Sequence, residues 1–331
     1  MNHQTFECFG HIGLAIDPIH VGTGGARLGR VDLSIARDPV TRVPKIPGSS
    51  LAGVYRTYAA MAKDKYPDCA GQGQSDAAGA GHHCGRPDCP ICTVFGFARG
   101  QGSSGGFAGL AAFSDAHVLL FPIATRQGPL WVTSPEQLRI ARLPAPQEVT
   151  TDAIYRDSRS DQPLNLGWLL VAVEQLSNHP ELKQRLTDRG VPSYIHDRFG
   201  VLPDKLFSHV VNSNLEVRTS VSITPETGAA KEGALFTYEA LPRATVLYWE
   251  ITCKHPKHFK IHNQEITAVQ DPNGVHDTTR AAHPYLEALG IGGMGTRGMG
   301  RLHVLKADST AAVVCSESST ASEQASQGAL S

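Results

Sequence analysis

The 331-residue sequence predicts an α+β fold, and two patterns and their order support this prediction. Apolar residues alternate in short segments near both ends of the chain, which is typical of strands with one buried face. Two other segments have the apolar spacing or the end signals of helices. The order of strand, helix, several strands, helix and strand is that of a ferredoxin-like unit, here with large insertions.

The first predicted strand and helix enclose a glycine-rich segment. Alternation in FECFGHIGLAI predicts a half-buried strand over residues 6–16, and glycines crowd residues 22–29. A helix is predicted over residues 50–64, with Gly48 and then Ser49 or Ser50 supplying its N-cap. Arg56 lies off the apolar stripe of this helix, so we expect its side chain at the surface. The stripe consists of Leu51, Val54, Tyr55, Tyr58 and Ala62.

Two insertions and a hairpin are predicted in the middle of the chain. Residues 67–106 are rich in Gly, Ala and Cys and poor in large apolar residues, which indicates an insertion. GLAAF, AHVLLFPI and GPLWVT then predict strands, and Pro135 begins a short helix. Residues 143–200 form a second insertion of mixed pattern. NLEVRTSVSI and GALFTYEA, joined by TPETGAAKE, predict a β-hairpin over residues 214–239.

The last third of the chain completes the predicted core. ATVLYWEITC predicts a strand, and a helix near residues 278–289 is expected to end at Gly290, because glycine favours the C-cap. GIGGMGTRGMG then leads into a last strand, RLHVL. Residues 307–331 are mostly Ser, Ala, Thr, Glu and Gln, which predicts a disordered tail. The core with its insertions therefore occupies residues 1–306.

Composition and charge exclude several classes of protein. Hydrophobic residues make up 41% and charged residues 18% of the chain, as in soluble globular proteins. A net charge of −1 and a pI near 6.9 exclude a global field that attracts nucleic acid, so a polyanion site must be a local patch. The longest apolar segments are too short to span a bilayer, and MNHQTFECFG lacks the pattern of a secretory signal. We therefore expect a cytoplasmic location.

A cluster of cysteines predicts a structural zinc site. HHCGRPDCPIC places thiols and an imidazole at the short spacing that can close a tetrahedral Zn²⁺ site. Four protein ligands leave no open position for water, so the ion would stabilise an insertion that lacks its own core. His83 and Cys69 are alternatives for the fourth ligand. The predicted ligands are His82, Cys84, Cys89 and Cys92.

A second motif lies near the C-terminus. GMGTRG matches G-x-G-x-x-G, but it follows a helix and precedes a strand, whereas a dinucleotide fold needs the reverse order. Consecutive glycines expose backbone N–H groups that can surround phosphate oxygens, and Arg297 and Arg301 lie beside them. The motif therefore predicts a phosphate-binding loop, with a purely structural turn as the alternative.

Several segments together resemble the repeat-associated mysterious protein (RAMP) superfamily of CRISPR effector subunits. They are GTGGARLGRVDLSIARDPVTRVPKIPGSSLAGVYR, CTVFG, AAFSDAHVLLFPIATRQGPLWVTSP, EGALFTYEALPRATV and GIGGMGTRGMGR. The segments DAHVLLFPIATRQGPLWVTSP and GALFTYEALP are most similar to the repeated backbone subunit of the type III-B (Cmr) complex. The equivalent type III-A (Csm) subunit shares the first motif but less of these two.

The resemblance implies an RRM-like core with a β-hairpin thumb, for which residues 224–232 form the tip. Copies of the chain, with other effector subunits, would form a helical filament along a guide RNA and cleave the paired target RNA at regular intervals. The loop aspartate that the family requires for metal-dependent cleavage corresponds to Asp32 in RVDLSIARD. A loop carboxylate can bind Mg²⁺ or Mn²⁺ and so stabilise charge on a scissile phosphate.

The implied RNA contacts lie in two segments. Cations near the first helix would neutralise phosphates, and its first amides would bind an anion. The family usually has lysine at Ala52 and arginine at Ala124, so these two contacts are absent or replaced by Lys45, Arg56 or Arg126. The predicted RNA-binding residues are Arg37, Arg42, Lys45, Ser49, Ser50, Arg56, Gly292, Gly293, Gly295, Arg297, Gly298 and Arg301.

Two other functions remain as alternatives to RNA cleavage. The chain could serve only in filament assembly, or it could be a zinc-dependent hydrolase or deaminase. The deaminase is the weaker alternative, because its H-x-E should precede the cysteines, whereas His179 and Glu181 follow them. Near Asp32, Asp17 and His20 are candidates to assist catalysis, although packing at a strand end explains them equally well.

Overall fold

The computed structural model describes residues 5–24, 31–71, 83–98, 105–149 and 152–305. The predicted ligand His82, the glycine-rich residues 25–30 and the predicted tail over residues 307–331 lie outside these ranges. The described residues form a mixed α+β fold around one large sheet, which confirms the predicted fold class. None of the described helices is both long enough and apolar enough to cross a lipid bilayer.

Most strands belong to one mixed sheet of eleven strands. In chain order the strands are β1 (Phe6–Ala15), β2 (Lys45–Ile46), β3 (Ala111–Phe113), β4 (Ala116–Thr125), β5 (Gly128–Thr133), β6 (Ala153–Arg156), β7 (Ser160–Leu166), β8 (Leu169–Gln175), β9 (Phe199–Val201), β10 (Glu216–Ile223), β11 (Ala230–Ala240), β12 (Val246–Lys254), β13 (Lys260–Ile261), β14 (Gln264–Glu265) and β15 (Leu302–Val304). The large sheet has the order β15-β1-β12-β4-β5-β9-β6-β8-β7, with β2 beside β4 and β3 beside β12.

The described residues form eight α-helices, four of which the sequence did not predict, and two of the predicted helices differ in extent. The eight helices are α1 (Gly48–Ala62), α2 (Pro90–Phe95), α3 (Pro135–Ile140), α4 (His179–Asp188), α5 (Ser193–His196), α6 (Asp204–Ser213), α7 (Pro272–Arg280) and α8 (His283–Leu289). The helix predicted over residues 50–64 begins two residues earlier, and the one predicted near residues 278–289 is a pair, α7 and α8. Gly290 ends α8 with a φ of 80°, which confirms the predicted C-cap.

Helix α1 lies between the sheet and the neighbouring helices. Leu51, Tyr55, Ala59 and Ala60 are fully buried. Only the first two belong to the predicted apolar stripe, whose other members, Val54, Tyr58 and Ala62, are half-buried. The helix contacts β3 and the helices α2, α7 and α8. Two RNA-binding candidates, Lys45 and the first turn of α1, are therefore fixed directly to the main core.

Residues 143–200, which the sequence left unassigned, extend the large sheet. They contain β6, β7 and β8 and lead into β9, which pairs in parallel with β5. Strand β6 also pairs in parallel with β8. Parallel neighbours are separated by crossover connections, so their pairing is a tertiary feature without a local sequence signal.

The predicted hairpin is present and forms a sheet of its own. Strands β10 and β11 pair antiparallel, from Glu216 opposite Ala240 to Ile223 opposite Ala230, with one irregularity near Val221. Two isolated β-bridges join the base of the hairpin to the rest of the fold. One pairs Leu33 with Tyr238, and the other pairs Ile19 with Leu241. The tip is far from these anchors along the strands.

Three histidines lie between β1 and the two C-terminal helices. His11 Nδ1 is 3.0 Å from the carbonyl of Phe9, which can only accept, so Nδ1 carries the proton. His11 Nε2 therefore accepts from His276 Nε2 at 3.0 Å. His283 Nε2 is 3.2 Å from the hydroxyl of Tyr55. Burial is the main reason that all three pKa values are low, with His276 at about 4 and His283 at about 3.

We expect the fold to lose stability in acid because of these histidines. In the unfolded chain His276 and His283 take up protons near pH 6.5, but in the folded chain only near pH 4 and pH 3. The unfolded state therefore binds more protons between these values. The contribution of these histidines to the free energy of unfolding is complete above about pH 6.5. As the pH falls below that value, the free energy of unfolding decreases by roughly 1.4 kcal/mol per pH unit for each histidine. Urea unfolding between about pH 7 and pH 4 measures this slope.

Two glutamine variants make the test specific. His283→Gln removes one titrating group from the cluster, so its stability should fall less steeply with pH. His258→Gln changes an exposed ring and should leave the slope unchanged. A stability of the unmodified chain that does not vary over this pH range would contradict the prediction.

Candidate nucleic-acid interface and metal centre

Asp32 lies at the surface, at the base of the hairpin. Its Oδ2 accepts hydrogen bonds from the amide of Thr237 at 2.7 Å and from the hydroxyl of Thr237 at 3.0 Å. These two bonds hold the pKa of Asp32 below its usual value, so the carboxylate is ionised at neutral pH. No described residue donates to the other oxygen, Oδ1. Asp32 is thus a fixed, charged group with one oxygen open to solvent.

The hairpin presents an apolar face beside Asp32. Thr219 lies opposite Thr237 and Val221 opposite Leu235, so these side chains share the face from which Thr237 contacts Asp32. Leu235 is 65% exposed on this face, and Val221 is 40% exposed. These two side chains form a small exposed apolar pair on the hairpin face that also carries Thr237.

The glycine-rich loop lies against the opposite face of the hairpin. Arg297 Nη1 donates to Ser220 Oγ at 3.3 Å, and its guanidinium lies 5.9 Å from the ring centre of Phe236. At the start of the loop, the amide of Gly293 donates to the carbonyl of His20 at 2.8 Å. The predicted glycines Gly292, Gly293, Gly295 and Gly298 are all exposed. Their position agrees with a loop that approaches a backbone ligand closely.

His20 joins the glycine loop to the hairpin. It is 6% exposed, and its Nδ1 donates to the carbonyl of Glu239 at 2.6 Å. Its ring meets that of Tyr238 edge to face, with 5.9 Å between the centres. His20 was only a weak candidate from the sequence, but it belongs to the same assembly as the hairpin base. Asp17, the other weak candidate, is instead the partner of Arg301, with bonds of 2.6 and 3.1 Å.

We expect Gly292→Ala to destabilise the protein and Gly295→Ala to leave it unchanged. Gly292 has a φ of +90°, and an added Cβ would lie 2.3 Å from the carbonyl oxygen of His20. The strain is worth about 1–3 kcal/mol and would push the loop away from His20. An added Cβ at Gly295 has its nearest neighbour at 3.9 Å. Calorimetric melting should show a Tm several degrees lower for the first variant only, and equal Tm values would contradict this.

The predicted cations before α1 are mostly paired within the protein. Arg37 donates to Glu239 Oε2 at 2.8 Å and to Asn212 Oδ1 at 2.8 Å. These N–H groups of its guanidinium therefore already have acceptors within the protein. Lys45 Nζ lies 2.6 Å from Asp115 Oδ2. Arg42 is exposed and makes no ion pair with a described residue, so its side chain is free for a phosphate.

The predicted N-cap of α1 is wrong. Pro47, rather than Ser49 or Ser50, occupies the N-cap position, and no side chain of the local segment caps the helix. Asp115, which lies outside the helix, provides the cap instead, because its Oδ1 accepts a hydrogen bond from the amide of Gly48 at 2.7 Å. Ser49 is exposed and Ser50 half-buried in the first turn, where their hydroxyls remain available to an anion.

Four cysteines form one compact cluster. Their sulfurs all lie within 4.8 Å of one another, and all four are free thiols. Sγ of Cys69 is 3.7 Å from that of Cys84, 3.9 Å from that of Cys89 and 3.7 Å from that of Cys92. A tetrahedron with Zn–S bonds of about 2.3 Å has sulfur–sulfur edges of about 3.8 Å, so the cluster has the geometry of a Zn²⁺ site. Cys69 was one of the alternatives for the fourth ligand.

The expectation that Arg56 contacts RNA is wrong. Its side chain is buried, with 3% exposure, and points from α1 towards the cysteine cluster. It hydrogen-bonds to the carbonyls of Cys69 and Gly96 and to the ring of His83. A buried guanidinium cannot reach a phosphate in solvent. Helical spacing alone placed it off the apolar stripe and did not reveal that the insertion covers this side.

Sequence reasoning missed three residues that organise the site. Thr237 orients Asp32, Glu239 pairs with Arg37, and Asp115 caps α1 while it binds Lys45. The first two lie in FTYEA, where alternation of polar residues on β11 was the available signal. Asp115 had no local signal, because it lies 67 residues from its helix.

Comparison with known proteins places the chain in a family. The sequence profile of the RAMP superfamily matches residues 14–303, and the chain therefore belongs to the RAMP superfamily. Its sequence is 25% identical over 256 residues to the CRISPR system Cmr endoribonuclease Cmr4 of Pyrococcus furiosus. This alignment covers 72% of the present chain and 79% of that protein.

Solved structures share the fold. A chain in the cryo-EM structure of the type III-B Cmr-beta complex bound to cognate target RNA superposes with a TM-score of 0.61 and 19% identity, covering 91% of this chain and 98% of that one. The crystal structure of oligomeric Cmr4 from Pyrococcus furiosus gives a TM-score of 0.54 and 18% identity, covering 91% and 98%. At these identities the similarity concerns the fold.

Proposed function

We propose that the chain is a guide-RNA-binding backbone subunit of a type III CRISPR effector complex, and that it cleaves the target RNA paired with the guide. One observation carries the proposal. The ionised, exposed carboxylate of Asp32 is held by the hairpin base, which also contacts the exposed glycine loop. Membership in the RAMP superfamily and similarity to a named endoribonuclease support it. We place this activity in the cytoplasm.

We interpret the centre of the fold as an RRM-like, ferredoxin-like core. Strands β15, β1, β12 and β4 are neighbours in that order, and each adjacent pair is antiparallel. Helix α1 precedes β4 in the chain, and α7 and α8 precede β15. This arrangement has the features of a split βαβ fold. The insertions over residues 67–106 and 143–200 would then be additions to that core.

In the proposed reaction Asp32 would hold a divalent cation, Mg²⁺ or Mn²⁺, through Oδ1. An exposed single carboxylate fits this role, because Mg²⁺ keeps several waters and often takes only one or two protein carboxylates beside phosphate ligands. The cation would supply charge stabilisation at the scissile phosphate. The contribution of the chain is position: Thr237 fixes the carboxylate, and the glycine loop and Arg297 hold the RNA backbone.

The hairpin would act as the thumb that separates nucleotides at the cleavage site. Its tip lacks an aromatic wedge, but Val221 and Leu235 are exposed on the face next to Asp32. Aliphatic side chains can insert between bases and unstack them, and an unstacked nucleotide more easily reaches the in-line geometry of cleavage. The apolar face thus offers a physical reason for cleavage beside the hairpin.

Repetition of the subunit would explain regular cleavage. A chain that stacks head to tail along a guide presents Asp32 once per subunit, so cleavage recurs at the repeat distance. The oligomeric form of the Pyrococcus furiosus relative supports this arrangement. The alternative of a zinc hydrolase is disfavoured, because four cysteine ligands would leave no open position for water.

Purification of the chain together with its effector subunits tests the proposed function. We expect extracted nucleic acid to be short RNA of uniform length. With Mg²⁺, an end-labelled RNA complementary to it should yield a ladder of evenly spaced products. Absence of bound RNA would overturn the proposal. Bound RNA with an uncut target would instead favour the alternative of a subunit with a role in assembly only.

A further inference from the structure

Arg56 is a buried cation without a carboxylate partner. Its Nε donates to the carbonyl of Cys69 at 2.8 Å, Nη1 to the carbonyl of Gly96 at 2.7 Å, and Nη2 to His83 Nδ1 at 2.9 Å. All three partners are neutral, and no described acidic side chain forms an ion pair with Arg56. A buried charge without compensation is strongly unfavourable, so a negative group is expected nearby.

The cysteine cluster supplies that negative charge when it holds a metal ion. Four thiolates around one divalent ion leave a net negative charge in the core of the insertion. Cys69 belongs to the cluster and also binds Arg56 through its carbonyl.

We propose that Arg56 is the counter-charge of the metal-loaded cysteine cluster, and that the cluster and helix α1 stabilise each other through it. Arg56 binds no metal itself and acts as a positioning residue. Its fork joins three segments: α1, the turn that carries Cys69, and the loop after α2 at Gly96.

His83 extends this contact towards the sulfurs. Because Arg56 donates to Nδ1, the proton of the neutral ring lies on Nε2. That N–H is buried and, apart from the sulfur of Cys69, has no hydrogen-bond acceptor among the described residues. A metal-bound thiolate is an acceptor of the right charge for it, and N–H groups of this kind orient metal ligands. His83, an alternative ligand from the sequence, thus takes a supporting position.

Helix α1 connects the metal-loaded cysteine cluster to the glycine loop. Tyr58, two residues after Arg56, donates from its hydroxyl to the carbonyl of Gly290 at 2.7 Å. Gly290 is the residue at which the loop leaves α8. Metal loading would therefore hold the loop in place through α1, a consequence for guide binding that rests on the proposed function.

Metal affinity and melting of the full chain test the role of Arg56 without RNA. Arg56→Met should weaken Zn²⁺ binding about 10- to 100-fold in competition with a chelator, as for other residues that support metal ligands. It should also lower the Tm of zinc-loaded protein more than that of EDTA-treated protein. Arg56→Lys, which keeps the charge, should give a smaller loss of affinity. Arg139→Met removes an exposed arginine and should change neither quantity.

Other results would overturn the proposal. If Arg56→Met lowers the Tm equally with and without zinc and leaves the affinity unchanged, Arg56 only packs. Should that variant fail to fold, an unchanged rate of Zn²⁺ release from Arg56→Lys would reject the role. Hydrogen exchange tests the link to the loop: chelation should raise exchange in residues 290–298, and unchanged exchange there would exclude the link. These measurements do not depend on RNA cleavage.

Discussion

Asp32→Asn is expected to reduce target RNA cleavage by about 100-fold or more while the assembled complex still binds its target. The asparagine keeps an oxygen that can accept from Thr237, so the local structure should persist. It loses the negative charge that would hold the divalent cation, and such an ion contributes several kcal/mol of stabilisation to the transition state. Gel analysis of an end-labelled target under single-turnover conditions measures the rate, and a mobility-shift assay measures binding.

A second carboxylate provides the control. Asp161 is exposed on β7, the strand at the far edge of the large sheet from β15. Asp161→Asn makes the same chemical change at an exposed carboxylate outside the hairpin and the glycine loop, and should cut target RNA at the normal rate. Cleavage by Asp32→Asn at that normal rate would remove Asp32 from the mechanism and leave the subunit with a role in binding only.

Cys92→Ala is expected to abolish metal binding and to lower the Tm by at least about 10 °C. The residue is fully buried, and its sulfur lies 3.6 Å from that of Cys84 and 3.7 Å from that of Cys69. Three ligands cannot close the shell of a structural zinc ion, whose binding contributes directly to the free energy of folding. Elemental analysis of the purified chain and calorimetry measure the two effects.

Cys253 separates the loss of the metal from the loss of a buried thiol. It is also fully buried, but it lies on β12, away from the cluster. Cys253→Ala should keep one equivalent of zinc and lower the Tm by only the few degrees expected for a small cavity. Equal effects of the two substitutions, with zinc retained in both, would show that the cluster does not depend on a metal.

Local patterns predicted much of the fold. Short apolar segments located β4 and β12, which contain consecutive buried residues, and alternation located β1 and supported the hairpin. These patterns could not assign β6 and β9, which have four and three residues and gain their stability from parallel or isolated pairings. Their existence depends on neighbours brought close only by the folded chain.

In the candidate site, too, some residues could be predicted from local sequence patterns and others could not. Asp32 and the glycine loop were accessible from the sequence because each lies in a compact motif. Cys69 was only one of the alternatives for the fourth ligand, and the buried position of Arg56 was not predicted, because the first turn of the insertion folds back over α1 and covers a face that helical spacing predicts to be exposed. Partners that lie far apart in the chain therefore decided the points on which the prediction failed.

The internal ion pairs have a consequence for selectivity. Arg37, Lys45 and Arg301 are already paired with Glu239, Asp115 and Asp17, so each would have to exchange a carboxylate for a phosphate in order to bind RNA as proposed. An incoming strand releases its own counterions, but the freed carboxylates attract cations again, which flattens the dependence of affinity on ionic strength. Under the proposed function, a strand would be retained only where its shape allows all three exchanges together, which would disfavour unrelated RNA.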